Sequence, residues 1–212
     1  LKDRFPDADI WGIDSSEEML KTAKENVPQA TFLSFDATDD LKKLGKKFDL
    51  IFSNACIQWI PDHPALFRNM ANILKENGIL AVQTPMTADM PMHKILRETA
   101  LQPEWREKIA NPRIFYNLSP EGYFDLMQEL FPFSELWQTE YFHEMPSHNA
   151  ILEWYKGTGL RPYLEALNET DKEKFQKEIY QKIAEAYPPQ KNGTILFRFP
   201  RLFLLAGYRP LI

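Results

Sequence analysis

Within its first 85 residues the chain alternates short apolar runs with amphipathic stretches, and nothing else in it limits the fold as much. Ile10-Trp11-Gly12-Ile13 ends on Asp14, Thr31-Phe32-Leu33-Ser34-Phe35 ends on Asp36, and Phe48-Asp49-Leu50-Ile51-Phe52-Ser53 ends on Asn54. Ile79-Leu80-Ala81-Val82-Gln83 is the fourth such run. Between the first two, Ser15-Ser16-Glu17-Glu18 reads as a capping box in which Ser15 accepts from the backbone three residues on and Glu18 reaches back. Met19, Leu20 and Ala23 form the apolar stripe of that helix, and Pro28 follows its end. A second helix is predicted from about Pro64 to Lys75, closed by the left-handed geometry that Asn77-Gly78 tolerates. Apolar strands separated by helices are the pattern of parallel βαβ units, whose ligand crevice lies beyond the carboxyl ends of the strands. Asp14, Asp36, Asn54 and Gln83-Thr84 therefore fall along one rim.

The rhythm changes after Pro85. Residues 86–117 hold proline, tryptophan and charge with little period and read as helix and loop over the rim. Ser119-Pro120 opens a helix with serine at the cap and proline at the first helical position. Leu136, Gln138, Glu140 and Phe142 alternate as in a strand, and Ser147 caps a helix through Trp154 and Tyr155 that Thr158-Gly159-Leu160-Arg161-Pro162 breaks. A long helix from about Thr170 to Tyr187 carries Phe175, Ile179, Ile183 and Tyr187 on one stripe, which core packing explains. Thr194–Phe199 and Arg201–Gly207 close the sheet, with Pro200 implying a bulge or an edge position.

Composition narrows the function classes. Lys and Arg number 25 against 30 Asp and Glu, for a net charge of −5, so nucleic acid is not an expected partner. No window approaches the ~18 apolar residues that span a bilayer, so no membrane partner is expected either. The single cysteine, Cys56, forms no intrachain disulfide and fits a reducing, cytoplasmic setting. Any anionic ligand must be met by a few local cations.

An acidic residue at the end of an early parallel strand suits a ribose diol, because its oxygens accept from both hydroxyls. Asp14 is so placed, and Asp36 on the neighbouring strand end suits an exocyclic amine. Either one alone reads as a helix cap or turn residue. In series, and followed by Asn54 and Gln58-Trp59, they suggest a nucleoside.

Ile13-Asp14-Ser15-Ser16, Asp36 and Phe48-Asp49-Leu50-Ile51-Phe52-Ser53-Asn54-Ala55 resemble the class I S-adenosylmethionine-dependent methyltransferases. Asn54-Ala55-Cys56-Ile57-Gln58-Trp59-Ile60-Pro61-Asp62-His63, Met145-Pro146-Ser147-His148, Thr158-Gly159-Leu160-Arg161-Pro162 and Phe199-Pro200-Arg201-Leu202-Phe203 narrow this to a resemblance to the trans-aconitate 2-methyltransferase family. The resemblance implies a Rossmann-like α/β sheet, mostly parallel with an antiparallel last strand, under a helical lid. Residues 1–85 would form the cofactor-binding core, 86–133 the lid, and 134–212 the last strands, with a helical substrate cap at about 146–190. It implies S-adenosyl-L-methionine as methyl donor, held by Asp14, Ser15, Asp36, Asn54, Gln58 and Trp59. It also implies a small anionic carboxylic acid as acceptor, with Arg161, Arg201, His143 and His148 as its candidate ligands.

One departure is large. The family's first strand and its Gly-x-Gly loop come before the helix end expected at Leu1 and Phe5, and no Gly-x-Gly precedes Asp14. The chain is therefore expected to be the C-terminal part of a longer protein, its sheet short of a central strand, with weak cofactor binding and marginal folding as it stands.

The implied chemistry needs no catalytic acid or base, since a carboxyl of pKa near 4 is already ionised at neutral pH. Positioning by planar guanidinium groups is what remains. The plainer alternatives are a helix-terminal charge for Arg161, an outward strand residue for Arg201 and a core residue for Trp59. His143-Glu144-Met145-Pro146-Ser147-His148 is no zinc helix, because the histidines are five apart and Pro146 interrupts the turn. No metal is expected. The rival functions are a methyltransferase for acyl-thioester-linked or quinone-like acceptors, suggested by 15 Phe, and a non-catalytic interaction module.

Overall fold

The computed structural model describes residues 2–110 and 114–210, so Leu1 and the part of the lid at 111–113 lie outside the described residues. Six strands and seven helices follow one another as β1 (Trp11–Asp14), α1 (Glu17–Asn26), β2 (Thr31–Ser34), β3 (Phe48–Asn54), α2 (His63–Asn72), β4 (Leu74–Pro85), α3 (Pro91–Ala100), α4 (Pro120–Leu130), β5 (Phe133–Met145), α5 (His148–Lys156), α6 (Arg161–Glu165), α7 (Glu169–Ala186) and β6 (Ile195–Gly207). Residues 2–7 form turns, not the helix end expected there.

β1 and β2 make a parallel pair of their own, while the other strands form a sheet in the order β3-β4-β6-β5. β3 and β4 run parallel, and β6 is antiparallel to both β4 and β5. The antiparallel last strand is therefore as expected. Among the described residues no strand pairs with both β1 and β3. They are tied by Ile13 and Phe35 packing on the larger core, by the Lys46–Asp9 ion pair at 2.8 Å, by Lys46 over the Trp11 ring, and by Trp11 edge-on to Phe48.

Local chemistry explains most boundaries. Ser119 and Ser147 cap α4 and α5 by accepting from the Gly122 and Ala150 amides, and Asn168 caps α7. Two helix boundaries differ from expectation. The cap of α1 is Ser16, which accepts from the Met19 amide, and not Ser15, because Asp14 already holds the Ser16 N–H and starts the turn one residue later. α2 ends at Asn72, short of Asn77-Gly78. The Phe48 amide bonds to the Ile73 carbonyl, so the chain turns there straight into β4. Gly78 lies within β4, where a Cβ would stand 2.9 Å from the Phe48 carbonyl oxygen; close approach, not left-handed geometry, demands glycine.

Two buried clusters share β6. Leu202, Leu204 and Ala206 pack with Leu80, Val82, α2 and α4, whereas Ile195 and Phe197 pack with α3, α5 and α7. Arg201 sits where the strand passes from one cluster to the other. The interval 86–133, expected as a lid, is divided in the same way, for Met90–Ile109 contribute to the cluster of α3, α5 and α7 and Tyr123–Phe131 to the sheet cluster. Pro200 makes no bulge: the β5–β6 register runs through it unbroken, opposite Glu140. Its carbonyl accepts from Met86, just past the end of β4. In an antiparallel strand the N–H and C=O of a residue point the same way, so the missing Pro200 donor faces the side where pairing has stopped.

Candidate active site

The strand tips deliver the acidic rim. Asp14 Oδ1 accepts from the Ser16 amide at 2.8 Å, and its other oxygen has no partner among the described residues. Asp36 Oδ1 takes both the amide and the hydroxyl of Thr38, each at 2.8 Å. Those bonds, the backbone one first, hold the Asp36 carboxyl below the usual range, so it stays an acceptor. Ser15 and Asn54 are exposed beside them. The tips of β1 and β3 are close enough that the Asp14 charge adds to burial in pushing the Cys56 thiol up.

The loop after β3 is held under strain. Ala55 and Asp62 both have left-handed backbone, with φ of 50° and 54°, a conformation that side chains disfavour and that concentrates at functional sites. A buried relay of hydrogen bonds fixes it. His63 Nε2 faces the Ile57 carbonyl, which can only accept, so Nε2 carries the proton and Nδ1 accepts from the Tyr123 hydroxyl at 2.7 Å. Asn117 donates to Tyr123 and to Thr84, Thr84 to Gln58 Oε1, and Gln58 Nε2 to the Ala55 carbonyl. Burial keeps His63 neutral and Tyr123 protonated, the states this relay needs. Gln58 is thus buried, with both ends of its amide engaged inside the protein; it shapes the loop. Trp59 lies against Phe115 at 4.8 Å, Phe115 against His93, and His93 shares a hydrogen bond with the Tyr155 hydroxyl. Aromatic contact therefore runs from the rim to the lid. Gly159 fits beneath, where a Cβ would stand 3.0 Å from the Tyr155 ring.

Across the sheet lies a different chemistry. Arg201 Nη1 donates to Gln83 Oε1 at 3.0 Å, and its guanidinium stands 5.4 Å from the Tyr141 ring and 5.2 Å from that of Phe199. Phe199 also meets His143 and Trp154. The cross-strand register puts Gln83, Arg201, Phe199, Tyr141 and His143 on one face. On that face are Gln83 Nε2, Arg201 Nε and His143 Nε2, all buried and without a hydrogen-bond partner among the described residues. A buried unsatisfied polar atom costs about 1–3 kcal/mol, so a group of them on one face is the mark of a site made for a ligand.

The other two anion candidates lie elsewhere. Arg161 opens α6, is exposed, and pairs with Glu165 at 2.7 Å, which raises its pKa. His148 Nε2 is bound to the Tyr187 carbonyl at 2.8 Å. The structure brings Arg201 and His143 together around Phe199 and engages Arg161 and His148 with other partners. No group of three or more His, Cys, Asp or Glu among the described residues is arranged to hold a metal ion. No helix among them is long and apolar enough to cross a membrane.

The family profile described as "Methyltransferase domain" matches residues 2–185. The chain belongs to the methyltransferase-domain family. A trans-aconitate 2-methyltransferase of Afipia carboxidovorans is 39% identical over 207 residues, covering 97% of this chain and 80% of that protein. One from Escherichia coli is 39% identical over 206 residues, covering 97% and 79%. A solved structure of a putative methyltransferase from Bacillus halodurans superposes with a TM-score of 0.55 at 11% identity, covering 94% of this chain and 82% of that one, a likeness of fold.

In this methyltransferase Asp14 and Asp36 each keep one carboxylate oxygen without a partner among the described residues, and Asn54 is exposed. Sequence reasoning assigned no role to Gln83, Tyr141, Tyr155 or His93. Gln83 alone carried a signal, as a polar residue ending an apolar strand.

Proposed function

We propose that this methyltransferase esterifies one carboxylate of a small polycarboxylic acid of the trans-aconitate type, with S-adenosyl-L-methionine as donor. The observation that carries this reading is Arg201, a guanidinium between two aromatic rings with a buried Nε–H left unpaired. A cation over aromatic faces keeps its charge in a poorly hydrated setting, where attraction for a carboxylate is stronger than in water.

When bound, the donor supplies an electrophilic methyl on a sulfonium. Asp14 and Asp36, with Ser15 and Asn54 beside them, hold its nucleoside end, and Trp59 on the strained loop covers it. Gln58 serves by keeping that loop in shape. Arg201 neutralises one carboxylate of the acid, and His143 stands at the far side of Phe199 to meet another. No side chain takes a proton, because the attacking oxygen is already anionic at neutral pH. The residues accelerate transfer by orientation and by excluding water. Arg161 and His148, already engaged with Glu165 and the Tyr187 carbonyl, have no part in holding the acid.

The test is transfer of labelled methyl from S-adenosylmethionine to trans-aconitate, with an acyl-thioester acceptor in parallel. An alkali-labile methyl ester of the polyacid is expected. Label on the thioester alone, or on neither, contradicts the proposal.

A further inference from the structure

We propose that His63 is the positioning residue of the donor loop: its neutral imidazole, held between the Ile57 carbonyl and the Tyr123 hydroxyl, keeps residues 55–62 in the shape that receives the methyl donor, and protonation of that ring lets the donor go. The inference rests on the reading of this loop as the cover of the nucleoside, and adds to it a residue that acts from behind the loop without touching the ligand.

Geometry makes the imidazole a joint of three elements. His63 is the first residue of α2, Ile57 belongs to the short turn that follows β3, and Tyr123 comes from α4. All three are buried, with His63 1% exposed. The left-handed backbone at Ala55 and Asp62, one at each end of the loop, relaxes unless something opposes it. The Ile57 carbonyl accepts from the Ile60 amide and from His63 Nε2, both at 2.9 Å, which closes the turn and fastens it to α2. The Gln58 carbonyl accepts from the Tyr116 amide at 3.0 Å. Trp59 is the next residue, so it rides on a turn that His63 anchors from within.

The bonding pattern selects the neutral ring. Nε2 carries a proton because a carbonyl only accepts, and Nδ1 takes the Tyr123 hydrogen at 2.7 Å. The Tyr123 oxygen already accepts from the Asn117 side chain and the Leu118 amide. A second proton on the imidazole, at Nδ1, is a third donor aimed at that oxygen, and it leaves the hydroxyl hydrogen without an acceptor in a buried place. The charged ring escapes only by turning out of the joint, which frees Ile57 and with it the turn under Trp59. Few groups bear on that charge. Burial opposes it most strongly; the Ile57 and Ile60 carbonyls and the Asp62 carboxylate favour it; Tyr123, facing from α4, stays protonated, and Phe67 adds an apolar ring. The balance lowers the His63 pKa, so the neutral joint is complete above the ordinary value of 6.5 and is lost as pH falls through the folded value below it.

Calorimetric titration with S-adenosylhomocysteine from pH 8 to pH 5 tests this on the wild type, His63→Gln and Tyr123→Phe. Gln at this position offers one donor and one acceptor and does not titrate. The wild type is expected to hold a constant Kd above pH 6.5 and then to lose up to about tenfold in affinity per pH unit as the ring protonates. His63→Gln is expected to bind within about threefold of the wild type at pH 8 and to show little of that loss; any slope common to both belongs to carboxylates. Tyr123→Phe is expected to weaken binding about tenfold at pH 8 and to move the loss to higher pH, because nothing then holds the neutral ring by its Nδ1. By reciprocity, saturating S-adenosylhomocysteine is expected to lower the His63 pKa read from its imidazole NMR signals. Identical pH profiles for the wild type and His63→Gln, or a His63 titration indifferent to S-adenosylhomocysteine, overturn the role of His63 and leave the donor reading standing. A wild type that binds no S-adenosylhomocysteine even at pH 8 contradicts the donor reading itself, and this inference falls with it.

Discussion

The β1–β2 pair and the β3-β4-β6-β5 sheet, which carry the two ends of the proposed reaction, stand on very different foundations. Every residue of β1 is half-buried, and α1 buries Leu20 alone, a contribution of roughly 1.5–3 kcal/mol. Ile13 and Phe35 lean on the larger core from its edge. β4, by contrast, buries Val82 through Pro85 in succession, and β6 is hydrogen-bonded on both sides from Arg201 to Gly207 and shared by two buried clusters. A two-stranded unit is marginal by itself, whereas a central strand opens only when the domain does. The residues proposed to bind the acid are therefore held in place before ligand arrives. The carboxylates proposed to bind the nucleoside stand on the part of the fold that yields first.

Substitutions can sharpen that contrast. Arg201→Ala should have the largest effect. Removing one partner of a desolvated charge pair costs about 2–5 kcal/mol, so KM for trans-aconitate is expected to rise at least about 30-fold with S-adenosylhomocysteine affinity unchanged; steady-state kinetics and calorimetry together would show it. Asp14→Asn should do the reverse. Exchanging a charged acceptor for a neutral one is expected to weaken S-adenosylhomocysteine about tenfold and leave the acid's KM alone.

The relay between the two regions gives a third prediction. Tyr123→Phe leaves His63 Nδ1 buried and unpaired, with an expected loss of about 1–3 kcal/mol in urea unfolding. In the wild type the depressed pKa of His63 makes its contribution to stability fully present above the ordinary value of 6.5 and lost as pH falls from there through the folded value. Unfolding midpoints should decline over that window, and less steeply in His63→Gln. Arg161→Ala should matter least, because an exposed pair within one helix contributes little; KM within about twofold of wild type and an unchanged melting temperature are expected.

What the sequence disclosed was local. Asp14, Asp36 and Asn54 could be placed on one rim because each ends an apolar run, and Ser119 and Ser147 could be named as caps because capping is settled within four residues. The Arg161–Glu165 pair was also within reach, at the spacing of one helical turn, but the resemblance drew attention to the arginine and not to its neighbour. Asn77-Gly78 misled for the opposite reason: a glycine needed for close approach to the Phe48 carbonyl looks the same as one needed for left-handed backbone. The orphaned donors of Gln83, Arg201 and His143 were out of reach. They come from three strands spread over 119 residues of sequence, and neither burial nor lack of a partner is a property of the residue itself.

On the proposed reading two ligands are held by separate parts of one rim, the nucleoside by the β1 and β2 tips and the acid beside Arg201 on β6. Nitrogen-15 NMR reads both at once, through the backbone amides near Asp14 and Asp36 and the side-chain N–H groups of Gln83 and Arg201. S-adenosylhomocysteine is expected to shift the first set and trans-aconitate the second. Trans-aconitate shifting the Asp14 and Asp36 amides while the Gln83 and Arg201 side chains stay still would contradict it.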